Sequence, residues 1–202
     1  MPRTAGKLKR HEKLLSLIEQ NPLHSDEDLA RVLKVSLSTI RLDRALLGVP
    51  ELRERTRQMA ERAFSRLRSL KQEEFIGELL GLEPNVWALS VLNTTKEMAF
   101  RHTAQVWDQY IYAQASTLAI AVVEADMVVV KSFRGRYNAP ATVGERLVAR
   151  AKVGVNNGSR YIVSVHTTAG DKEIYVGRFI VEALASGNGD ENDSAADKKM
   201  TR

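Results

Sequence analysis

Cysteine is missing altogether from this 202-residue chain, and proline (5), phenylalanine (5) and tryptophan (2) are sparse. Its absence excludes disulfides, thiolate metal sites and a cysteine nucleophile, and fits a reducing cytoplasm. The four histidines, His11, His24, His102 and His166, are scattered. None stands in an HxxxH or HExxH spacing, so no metal site is expected. No apolar run has the length that spans a bilayer, and the polar, basic start resembles no secretory signal. A soluble cytoplasmic chain, free of membrane, is expected. What is present is an apolar content of 44%, enough for a real core in one medium domain or two small ones.

Charge is segregated. Residues 1–70 hold 15 Lys and Arg against 9 acids, a net of +6, whereas residues 71–202 hold 15 against 16, a net of −1. The basic end contains SDEDLARVLKVSLSTIRLDRALLG, Ser25 to Gly48, which reads as two short helices joined by a tight turn. Asp26 is placed to cap the first, with Leu29, Ala30 and Leu33 facing inward. Ser36 is placed to cap the second, with Ile40 and Leu47 as its core contacts. A helix entering a DNA groove needs small polar residues near its start and arginines further along. Ser36, Ser38, Thr39 and Arg41 fit the groove, and Arg44 a phosphate. Arg3, Lys7, Lys9 and Arg10 precede this motif and suit an arm on the DNA backbone or in the minor groove. An ordinary helical hairpin and a solvated tail produce the same patterns. The clustered positive charge favours nucleic acid.

KLKRHEKLLSLIEQ, residues 7–20, predicts a first helix that closes a three-helix head, stopped by Asn21 and Pro22. The head is assigned to residues 1–49. Residues 50–70, PELRERTRQMAERAFSRLRSL, predict an amphipathic linker helix with Pro50 in its first turn. Leu52, Met59, Ala63, Phe64 and Leu67 form its apolar stripe, and Arg53, Arg57, Arg62, Arg66 and Arg68 cover much of the rest. That stripe needs a cover: a second linker helix, or the following domain. Residues 71–184 then read as strands around one alanine-rich helix, Asp108 to Val123, apolar nearly all round and therefore buried. Pro84 and Asn85, Gly144, residues 156–158 and 170–171 mark the turns. Residues 185–202 are polar and aperiodic and predict a disordered tail. The expected class is α+β.

The run STIRLDR followed by PELRER, the YAQA of Tyr112 to Ala115 with Leu118 after it, and GERLVARAKV at Gly144 to Val153 resemble the FapR family, bacterial repressors of fatty-acid and phospholipid synthesis genes. The likeness runs from about residue 10 to residue 183. It implies a winged or simple helix-turn-helix head, an amphipathic linker, and a hot-dog domain related to acyl-CoA thioesterases that has lost catalysis. It also implies a homodimer, double-stranded operator DNA as partner, and malonyl-CoA or another acyl thioester, on CoA or acyl carrier protein, as effector rather than cofactor. In such regulators the effector redocks the linker helices, which implies a switch role for Leu52, Met59, Phe64 and Leu67.

The resemblance also maps the effector site. The family's malonyl-pairing arginine and the glycine after it fall on Trp107 and Asp108, and its asparagine on Ser116. Its phenylalanine is kept as Phe100. An indole cannot pair with a carboxylate, and an aspartate beside it repels one. Three readings stay open: a carboxylate site rebuilt from Arg101, His102 or Arg136; an uncharged acyl thioester; or a constitutive DNA-binding dimer without response. An acyl-CoA thioesterase is the enzymatic alternative. Ser116 stands where related thioesterases carry an acid and has no histidine partner, and Asp108 reads as an N-cap, so no catalytic residue is assigned.

Overall fold

The computed structural model describes residues 2–185, with side chains from residue 6 onward. The expected tail, save Ala185, lies outside the described residues. Helix α1 spans Pro2–Gln20, so the expected arm is the first part of this helix. Pro2 suits a helical first position because its missing N–H has no partner to lose there. Helix α2 spans Asp26–Leu33, and its cap is Ser25 rather than Asp26. Ser25 Oγ accepts from the Asp28 N–H at 3.1 Å while the Asp28 carboxylate accepts from the Ser25 N–H at 3.2 Å. This reciprocal box satisfies two helix-start donors, which a lone Asp26 cap would not. Lys34 then takes a left-handed conformation, and Ser36 caps α3, Leu37–Leu47, as expected. Leu14, Leu29 and Ile40, one from each helix, close the head core. No strand stands in the described head, so the helix-turn-helix is the simple and not the winged form.

The linker helix α4 spans Leu52–Phe64, shorter at both ends than the expected 50–70. Pro50 lies before the helix and Ser65 ends it, its hydroxyl donating to the Arg62 carbonyl. There the chain turns to drop Phe64 against Phe75, ring centroids 5.9 Å apart. Leu67 lies beyond the helix, still packed on the following domain. At the other end stands Arg55, a buried cation that the sequence stripe passed over. Its guanidinium donates to the carbonyls of Pro22 at 3.1 Å, His24 at 2.6 Å and Pro50 at 2.6 Å. The α1–α2 turn and the start of α4 are therefore fastened to one side chain.

The second part is a six-stranded antiparallel sheet. Its strands are β1 Glu78–Glu83, β2 Trp87–Asn93, β3 Met127–Tyr137, β4 Arg146–Asn157, β5 Arg160–Ala169 and β6 Lys172–Leu184, in the order β1-β2-β4-β5-β6-β3. Helix α5, Asp108–Ala121, packs across the inner face. Small residues allow the close approach: Ala115 and Ala119 on the helix are buried with Ala88, Ala149 and Ala151 on the strands. Alternation along each strand puts Leu147, Val163, Val165, Phe179 and Val181 inward. Gly135 and Gly177, paired on β3 and β6, flank the Tyr175 ring, and a Cβ at either would strike it. No described helix is long and apolar enough to cross a membrane.

Replacing Arg55 by Met should lower head stability by about 2–4 kcal/mol, because three carbonyls lose a charged donor. A urea titration checks it, with Arg53→Met as the control that changes the midpoint little. Asp43, buried on α3, accepts from Arg10 at 2.6 Å and lies 2.9 Å from His11. The Arg10 hydrogen bond, opposed by burial and aided by His11, holds its carboxyl below the usual range. A folded pKa below the unfolded value of about 3.9 stabilises the head above that pH and is lost as pH falls through the folded value. Asp43→Asn should therefore flatten the acid limb of head stability below about pH 4 and lower stability at pH 7, as a urea titration at each pH would show.

Candidate functional site

Two surfaces carry the expected chemistry. On the head, α3 turns Ser38, Arg41, Leu42 and Ala45 to solvent along one stripe, with Arg41 63% exposed at its side chain. Ser36, the cap, shares its hydroxyl with Ser38 at 2.9 Å and Thr39 at 2.8 Å, so the start of the helix carries a linked hydroxyl cluster. Thr39 is half-buried. Arg44 is not on the surface. It is buried, donating to both oxygens of Asp26 at 2.7 and 2.9 Å and to the Val49 carbonyl at 3.0 Å. Its expected phosphate contact is thus replaced by a role holding α3 to α2. Arg10 is likewise engaged, by Asp43. Lys7 and Lys9 are exposed on α1, and the Arg3 side chain lies outside the described residues. Leu42 and Leu46, 60% and 58% exposed, are an unforeseen apolar part of this face.

The other surface is an open groove of about 470 Å³ where the start of α5 meets the end of β3. Phe100, Val106, Ile111 and Ala139 to Ala141 make it apolar, and Gln105, Asp108, Tyr137 and Asn138 supply its polar atoms. Trp107, not Asp108, is the N-cap of α5, and its backbone N–H donates to the Met98 carbonyl at 2.8 Å. That leaves Asp108 in the first helical turn, where the helix dipole favours a carboxylate. Trp107 stacks on Phe100 with centroids 4.7 Å apart, so the indole walls the groove through the phenylalanine. Tyr137 donates to the Asp108 carbonyl at 3.3 Å, and its hydroxyl pKa is raised by burial and then by the Asp108 charge. Behind it, burial pushes the Tyr175 hydroxyl up to about 12.

Of the expected effector residues, Phe100 and Asp108 line the groove and Trp107 backs it. Arg101 and His102 lie exposed in the adjoining turn, and Ser116 sits half-buried in mid-helix; none lines it. Arg136 reaches only its edge, donating to Asn138 Oδ1 at 2.9 Å. Among the described residues, no cation lines the groove. Tyr137 to Ala141 escaped the sequence reading because nothing local ties the end of β3 to a helix thirty residues earlier. Gln114, in the expected YAQA run, is wholly buried and donates to Ser90 Oγ at 3.2 Å. Strand β3 is exposed on both faces from Lys131 to Tyr137, leaving an unpaired edge with Phe133 52% exposed.

A three-helix head joined by one helix to a six-stranded sheet wrapped on a single long helix, the hot-dog arrangement, defines a two-part architecture. Curated relatives place it further. A transcription factor FapR from Thermoanaerobacter sp. (strain X514) is 39% identical over 179 residues, covering 89% of this chain and 90% of the relative. Another, from Geobacillus thermodenitrificans, is 36% identical over 176 residues, covering 86% and 89%. The chain belongs to the FapR family of transcription factors. Among solved structures, a sigma28-regulated virulence protein from Campylobacter jejuni shares the hot-dog fold at TM-score 0.59 and 21% identity, over 63% of this chain and 91% of that one. An uncharacterized protein from Pyrococcus horikoshii matches at TM-score 0.55 and 25% identity, over 58% and 92%. No family model matches the chain.

The opposite placements of two arginines on one helix give a sharp expectation. Arg44→Ala should cost about 3 kcal/mol of head stability by removing both hydrogen bonds to Asp26, which keeps only the exposed Arg41 at 3.8 Å, and the one to the Val49 carbonyl, whereas Arg41→Ala should change the melting temperature little. Calorimetric melting of the two variants beside the parent checks both.

Proposed function

We propose that the chain is a dimeric transcriptional repressor of fatty-acid and phospholipid synthesis genes, released from operator DNA by an acyl thioester bound in a non-catalytic hot-dog dimer. The observation that carries this reading is that the relatives match across head, linker and hot-dog domain together. The α3 stripe of Ser38 and Arg41 meets base edges, while Lys7 and Lys9 hold phosphates. The free β3 edge supports pairing with a second copy, since an unpaired aromatic edge is an invitation to strand addition. The groove then lies beside the seam between protomers.

The effector is an uncharged acyl thioester. A malonyl carboxylate about 5 Å from Asp108 would meet a repulsion of about 3 kcal/mol at an effective dielectric near 20, with no lining cation to offset it. An acyl chain suits the apolar wall instead. Binding there favours the docked linker seen here, with Phe64 and Ala63 buried against the hot-dog core. A preference of about 3 kcal/mol for that state would lower operator affinity roughly a hundredfold.

Two measurements test this. Selection from a random duplex pool should yield a preferred sequence, and Arg41→Ala should weaken that sequence more than bulk DNA by about 1–3 kcal/mol. Calorimetry with acetyl-CoA, a longer acyl-CoA and malonyl-CoA should show the neutral thioesters binding about a hundredfold tighter than malonyl-CoA, without hydrolysis. Asp108→Asn should narrow that gap. Preferred malonyl binding would point to a cation from elsewhere in the dimer; turnover abolished by Asp108→Asn would make the protein a thioesterase; no thioester binding would make it a constitutive DNA-binding dimer.

A further inference from the structure

The outer face of the sheet, turned away from α5, carries positive charge in register. Cross-strand pairing sets Trp87, Lys152, Ser164, Arg178 and Arg134 side by side over β2, β4, β5, β6 and β3. The next outward row, two residues along, holds Arg150, His166, Val176 and Arg136. Every one of the five Arg and Lys side chains is exposed. Four inter-strand steps of about 4.8 Å make the first row roughly 19 Å long.

A sheet face that needs only solubility mixes both signs. Here the acids stand at the rim and are engaged there: Glu83, beside Trp87 at the β1 end of the first row, by Arg66 at 3.0 Å, Glu173 by His166 at 3.0 Å, and Glu182 by Lys131 at 2.9 Å and Arg160 at 3.0 Å. Among the described residues, none of the five strip cations forms an ion pair; Arg136 donates to Asn138 instead. Like charges set directly across a sheet, as Arg134 is to Arg178, destabilise it unless something neutralises them. Arginine forks match phosphate oxygens two at a time, and four of the five cations are arginine.

We propose that this outer face is a second DNA-binding surface, distinct from the heads, that takes the phosphate backbone of duplex DNA without reading its sequence. The proposal rests on the DNA-binding reading above and extends it to a face of the hot-dog domain. In the dimer paired through β3, Arg134 and Arg136 of each copy stand next to the seam, so the two strips join into one band.

The test compares two full-length variants of equal charge change, R134Q/R178Q on the strip and K71Q/K96Q off it, by anisotropy of a labelled random-sequence duplex over a range of KCl. Each phosphate contact contributes about 0.9 to the slope of log K against log salt, so the strip variant, which removes two cations from each copy of the dimer, should lower the slope by about 3.6 and the control by less than about 1. Equal slopes in the two variants would overturn the proposal by reducing the strip to net charge. An unchanged DNA slope with weakened binding to polyglutamate would overturn it in favour of an acidic protein. Melting temperatures monitor folding. Failure of the parent to prefer any duplex in the selection above would refute the repressor reading alone, since the slope comparison uses no preferred sequence.

Discussion

A single buried guanidinium decides how the parts of this molecule can move. Arg55 is paid for by three backbone carbonyls, two from the α1–α2 turn and one from the segment before α4. Backbone oxygens at a turn and ahead of a helix have few internal partners, so a cation that satisfies all three locks those segments together. Arg44 reinforces the joint by binding Asp26 and the Val49 carbonyl. The head and the start of the linker helix therefore travel as one body. The far end of α4 is held differently. Arg66 to Glu83 and Arg68 to Asp126 are exposed pairs, which contribute little in water, and the rest of the hold is the packing of Ala63, Phe64, Leu67 and Leu70 with hydrogen bonds to the Leu82 and Ile120 carbonyls. A body fastened firmly at one end and by an apolar patch at the other separates at the patch.

That asymmetry explains which features were legible in the sequence. Strands β1 to β6 and the buried α5 announce themselves through alternation and through an alanine-rich apolar stretch, because burial is periodic along a regular element. Ser36 was readable for the same local reason, acting on its own helix start. The joints were not. Arg44 and Arg10 look like DNA contacts in a basic segment, and only the fold places Asp26 and Asp43 against them. Arg55 lies in a row of arginines with no mark to separate it from Arg53 or Arg57. Ion pairs between residues 18 or 33 positions apart leave no period. Composition therefore overstated the cations available to DNA on the head, and register along the strands, invisible to composition, assembled others on the sheet.

The groove follows from the same opposition of local and distant causes. Its side at the start of α5 was reached only through the family resemblance, and the structure puts Phe100 and Asp108 on the groove with Trp107 stacked behind. Its other wall, Tyr137 to Ala141, comes from the edge strand and reaches the helix through the Tyr137 hydroxyl. Trp107 stacks on Phe100 and ends there, projecting no charge into the groove. The first turn of the helix then holds one fixed anion, Asp108, already occupying the field of the helix dipole. A second anion gains little from the dipole and meets the first at short range, whereas an uncharged acyl group meets phenylalanine, isoleucine and alanine. On the proposed function, a fixed carboxylate beside an apolar wall selects as much by what it repels as by what the wall attracts.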